Sequence, residues 1–93
     1  MRTSKINFVD YQTGAHVEIY GAVGPSLGAY TVQVDDGTPV SFNATNIDLI
    51  PQTLLFQDNS FAPGTHTVKI SNSPFAGQSL SIDFAIIYTL HPE

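Results

Sequence analysis

Residues 78–90 read QSLSIDFAIIYTL, and their alternation decides the fold class. Successive side chains of an extended chain point to opposite faces. Leu80, Ile82, Phe84, Ile86, Tyr88 and Leu90 therefore fall on one side, with Ser79, Ser81, Asp83 and Thr89 on the other. Apolar residues recurring at period two predict one long β-strand whose apolar side meets a core. Ala85 and Ile87 add apolar groups to the second side. That predicts cover on both faces toward the C-terminal end, as for an inner strand of a sandwich.

The same alternation recurs upstream in 16–22, 29–35, 39–43 and 65–71, while 6–10 is a short apolar run. Segments 6–10, 16–22, 29–35, 39–43, 53–57 and 65–71 each read as strands, separated by turn chemistry: 11–14 (YQTG), the glycine-rich 21–28 (GAVGPSLG), Asp36-Gly37, 58–64 (DNSFAPG) and 72–77 (NSPFAG). Asp-Gly between two alternating runs is a strong hairpin signal. Val40 and Phe42 are expected to face inward, and Ile47, Leu49 and Ile50 to tuck under the sandwich as a lid. Seven short strands without helical periodicity predict an all-β chain, one antiparallel β-sandwich or small barrel over residues 1–93.

Composition narrows the class of function. The formal charge of the 93 residues is -5, with Arg2, Lys5 and Lys69 as the cations. That offers no electrostatic footprint for nucleic acid or anionic lipid. Charged residues make up 12% of the chain, so its outer strand faces are neutral and hydroxyl-rich, which suits neutral ligands. With no cysteine, there is no disulfide framework, thiolate metal site or thiol nucleophile. The first residues, MRTSKINFVDYQ, hold no apolar leader core, and no run of 18 apolar residues occurs. The expectation is a soluble chain without membrane insertion. The sequon Asn43-Ala44-Thr45 points instead to an extracellular or cell-surface setting, with the cytoplasm as the alternative in the absence of a signal sequence.

Taken as whole segments, 16–42 (HVEIYGAVGPSLGAYTVQVDDGTPVSF), 52–57 (QTLLFQ) and 63–90 (PGTHTVKISNSPFAGQSLSIDFAIIYTL) resemble the lectin-like, galactose-binding-like β-sandwich domains of fungal (basidiomycete) surface proteins. The likeness spans roughly residues 14–88. It implies a jelly-roll or galactose-binding-like sandwich that binds glycans through loops at one end. Such domains usually carry one or two further strands before the segment matching Ile6. Their absence here implies a bare core edge that a second copy covers, and hence a homo-oligomer.

The site candidates follow from residue chemistry. His16, His66 and His91 stand too far apart in the strand reading for a metal triad, and His66 shares the phase of Val68 and Ile70, as a satisfied, partly buried side chain would. Asp35 and Asp36 belong to a hairpin turn, where Asp bonds the local backbone. Asp83 is expected to bond a backbone group or a tyrosine hydroxyl. Asp58, Asn59 and Ser60 offer oxygens that the resemblance makes worth weighing for calcium, but the ligand count is short, so no metal and no cofactor is predicted. No nucleophile elbow and no positioned carboxylate pair occurs, so the chain is not read as an enzyme. Tyr11, Tyr20, Phe61 and Phe75 can stack on a sugar, although the two phenylalanines are read first as plugs closing the sandwich ends. The ligand-binding candidates are Tyr20, His16, Asp58 and Asn59, in a non-catalytic module for neutral glycans. The alternative is a structural or adhesion module that self-associates through an uncovered sheet face bearing Ala85 and Ile87.

Overall fold

In the computed structural model, residues 3–11, 14–72 and 79–89 are described, and they form seven strands without a helix. These are β1 (Thr3–Asp10), β2 (His16–Val23), β3 (Ala29–Val34), β4 (Val40–Asn43), β5 (Ile50–Asp58), β6 (Gly64–Asn72) and β7 (Ile82–Tyr88). They pair antiparallel in two sheets, one ordered β1-β6-β3-β4 and the other β5-β2-β7. The fold is an all-β sandwich, as the alternation predicts. Turn 72–77 with Phe75, and His91 in the tail, lie outside the described residues apart from Asn72.

The core lies between the sheets. Val17 and Ile19 of β2, Tyr30 and Val32 of β3, Val68 and Ile70 of β6 and Leu55 of β5 are buried in one cluster. The Tyr30 hydroxyl donates to the Leu55 carbonyl at 2.6 Å, satisfying a polar group that burial would otherwise make costly. Phe61 is 3% exposed and meets Phe8 edge to face at 4.9 Å. Of its two possible roles, Phe61 therefore takes that of the plug.

Three expectations are corrected. First, β7 is an edge strand, since β2 occupies the centre of the three-stranded sheet. A register shift against β2 falls at Asp83: Gly21 faces Ile82, but Tyr20 faces Phe84. The extra residue of a bulge breaks the period-two phase. Leu80 and Ile82 stay with the core, whereas Phe84, Ile86 and Tyr88 pair with Tyr20, Glu18 and His16 on the outer side. Second, Val40 and Phe42 share the phase of Val32 and Tyr30 but remain exposed, because four-residue β4 is itself an edge. Phe42 stacks on Tyr30 at 5.5 Å. Third, Ile47 and Leu49 form no lid, being 84% and 69% exposed, and Ile50 opens β5.

Candidate functional site

The two outer faces are chemically unlike. On the four-stranded sheet, the outward phase carries Thr3, Lys5 and Asn7 of β1 opposite Ser71, Lys69 and Thr67 of β6, joined by Thr3–Ser71 and Thr67–Asn7 side-chain hydrogen bonds of 3.0 and 2.8 Å. No aromatic ring stands in that set. On the three-stranded sheet, Val17 and Ile19 of β2 point inward and are fully buried, so His16, Glu18 and Tyr20 point outward. Tyr88, Ile86 and Phe84 of β7 stand opposite them, with Gln57 opposite Glu18 and Leu54 opposite Tyr20 on β5.

Gly21 makes this three-strand approach feasible. A Cβ there would lie 2.0 Å from the Ser81 carbonyl oxygen and 2.7 Å from the Leu55 side chain. The Ser81 carbonyl instead accepts the Ala22 amide at 3.1 Å, extending the contact beyond the last ladder pair. On the other flank a register shift between Ile19 and Tyr20 makes Leu55 an extra residue of β5. Leu55 is buried while Leu54, opposite Tyr20, is exposed.

Across the β2–β7 seam the side chains pair by ring. Tyr20 stacks on Phe84 with centroids 4.9 Å apart and planes at 22°. His16 meets Tyr88 at 5.8 Å and 33°. Phe84 and Tyr88 remain 40% and 53% exposed. Glu18 sits between the two pairs: Tyr20 donates its hydroxyl to Oε1 at 3.1 Å, and His16 Nε2 lies 3.1 Å from Oε2. The carboxylate acceptor holds the Tyr20 pKa above its ordinary 10.0, so this hydroxyl stays a donor.

At the end of the face, His16, Gln57, Asp58 and Asn59 line an open hollow of about 260 Å³. Asp58 Oδ1 accepts both the amide and the hydroxyl of Ser60, at 3.0 and 2.7 Å, closing a local turn. Among the described residues no group of three or more His, Cys, Asp or Glu side chains could hold a metal ion.

Of the four residues singled out from the sequence, His16, Asp58 and Asn59 thus come together in one hollow. Tyr20 stands apart from it on the same strand face, linked to His16 through Glu18. Sequence reasoning missed Glu18, Phe84, Ile86 and Tyr88. The signal for the last three was Asp83, a lone carboxylate inside an apolar run, where a bulge is a ready explanation. Asp83 Oδ2 accepts the Gln52 amide at 3.3 Å, a backbone partner as expected. The aspartate at the β3–β4 turn differs from expectation: Asp35, at φ 53°, reaches across to β6 and accepts the Thr67 amide at 2.8 Å. Comparison with protein-family models, with curated proteins and with solved structures finds no match to this chain.

Proposed function

We propose that the chain is a non-catalytic carbohydrate-binding module for neutral glycans, whose site runs over the outer face of the three-stranded sheet toward the hollow at His16, Asp58 and Asn59. The observation that carries this reading is the pairing of exposed rings with an anchored carboxylate. Phe84 and Tyr88 offer apolar surface to the C–H face of a sugar ring. Glu18, Gln57, Asp58 and Asn59 offer acceptors and amide donors to its hydroxyls. Low charge on the chain fits a neutral ligand.

The test is a glycan array probed with the folded protein. At least one neutral oligosaccharide should bind, and Phe84→Ala should weaken that binding about tenfold, the loss expected for one aromatic contact of ~1.4 kcal/mol. An empty array with demonstrably folded protein would sink the proposal.

A second reading, self-association through β7, has its own support. Edge strands are ordinarily blunted by Lys, Pro, bulges or brevity. β1 carries Lys5, β4 has four residues, and β5 carries Pro51 and a bulge. β7 has its own bulge at Asp83, but the stretch beyond it from Phe84 to Tyr88 carries no Lys or Pro, and its inward-phase Ile87 is exposed. Sedimentation over a concentration series decides this reading.

A further inference from the structure

We propose that His66 is a protonation-dependent clamp that ties the loop between β5 and β6 to the turn after β3, and thereby sets the order of that loop, which follows Asp58 and begins with Asn59. His66 lies on β6. Its Nδ1 is 2.8 Å from Asp35 Oδ2, and its Nε2 contacts the Ala62 carbonyl. Both partners are acceptors without a proton to give. Neutral imidazole has one N–H and can satisfy only one of them, whereas imidazolium donates to both. The geometry is therefore that of the charged ring.

The polar groups packed on the ring favour that form, and their hydrogen bonds outweigh the burial that opposes it. From the turn after β3 comes the Asp35 carboxylate, itself fixed by the Thr67 amide. From β1 come the Phe8 ring at 5.5 Å and the negative field of Asp10. From the loop come the Phe61 ring at 5.0 Å and the Ala62 carbonyl. Lys5 and Lys69 line a hollow together with Asp35, Asp36 and Thr67, and their two ammonium groups oppose the charge from there. The hydrogen bond to Asp35, followed by that to Ala62, raises the His66 pKa above 6.5, and the same His66 bond lowers the Asp35 pKa below 3.8.

The sign follows. A raised histidine pKa contributes stability that is complete below the unfolded value of about 6.5 and fades as pH rises through the folded one. A depressed aspartate pKa contributes stability present above about 3.8 and lost as pH falls through its folded value. The clamp is closed between those limits. On deprotonation the single remaining N–H stays with the charged acceptor, where the bond is stronger. The Ala62 contact is then the one released. Weaker glycan binding above the His66 pKa would follow; that consequence rests on the glycan site proposed above, whereas the clamp does not.

The experiment is an NMR titration of the His66 ring nitrogens together with exchange of the Ser60 amide, corrected for its intrinsic rate, from about pH 5.5 to about pH 9. The ring should titrate above 6.5, and Ser60 protection should fall about fivefold across the same transition, the effect of losing one hydrogen bond. Asp35→Asn keeps the acceptor for Thr67 and tolerates the positive φ. It should bring the ring's titration back toward 6.5 and move the loss of protection with it. His66→Gln should remove the pH dependence. Titration at or below 6.5 in the unsubstituted protein, or Ser60 protection that ignores the ring's transition, would overturn the clamp. Running the glycan array at both pH limits separates the two ideas. An array empty at both, with the Ser60 transition present, overturns the glycan site and upholds the clamp.

Discussion

Gly21 shows how one missing atom shapes the face. The position lies where β2 is flanked by Ser81 on one side and Leu55 on the other, and a Cβ would sit 2.0 Å from a backbone oxygen. Leu55 could swing away, but the Ser81 carbonyl is held by the Ala22 amide. Gly21→Ala must therefore push the approach to β7 apart, at a cost of about 3 kcal/mol. A domain of this size has net stability of about 5 kcal/mol. The urea midpoint should fall by more than half, read by circular dichroism, and an unchanged midpoint would show that the Ser81 contact is not what holds β7 in place. Glu18 is the complementary case, a side chain whose value is its two neighbours. By taking the Tyr20 hydroxyl and facing His16, it fixes the polar edge of both ring pairs without leaving the strand.

At the scale of elements, β7 turns on a single residue. Because Asp83 is the extra residue of a bulge, Ile82 pairs inward with Gly21 and Phe84 pairs outward with Tyr20. Deleting Asp83 should leave both pairings intact and regularise the ladder, at the expense of its hydrogen bond to Gln52, about 1 kcal/mol. On an unbroken strand the same deletion would turn half the side chains over and cost several times more. Chemical denaturation of the deletion variant distinguishes the two outcomes. This is also where the legibility of the sequence ends. Alternation and short apolar runs between turn signals located all seven strands, even β5, whose phase against β2 is broken at Leu55, and Asp36-Gly37 marked the β3–β4 turn. Alternation cannot locate an inserted residue, so the six apolar positions from Leu80 to Leu90 read as one face when Phe84, Ile86 and Tyr88 belong to the other. Nor can it tell a central strand from an edge, which is why Val40 and Phe42 read as buried. His16, Asp58 and Asn59 were legible as polar groups near strand ends, while the ring pairs depended on a register that only the fold provides.

For the whole molecule, the contrast between faces limits what can bind where. Three strands about 4.8 Å apart and seven residues long at ~3.3 Å each present a patch of roughly 14 by 23 Å, about 330 Å². Even doubled for side-chain relief, that stays below the roughly 800 Å² that each partner of a stable complex contributes. A face of that size matches the few sugar rings of the proposed ligand, and any pairing of two copies through it or through the β7 edge must be weak. Self-association should accordingly be absent at about 10 µM and begin to raise the average mass above the chain's 10.0 kDa near ~100 µM in sedimentation equilibrium. Ile87→Lys places a charge on the inward phase at the exposed edge, away from Phe84 and Tyr88, and should abolish that rise while leaving glycan binding unchanged. Phe84→Ala should weaken glycan binding whether or not the mass rises. A strict monomer at ~100 µM removes the edge pairing, and a joint loss of both properties in Ile87→Lys would mean that assembly and sugar recognition depend on the same contacts.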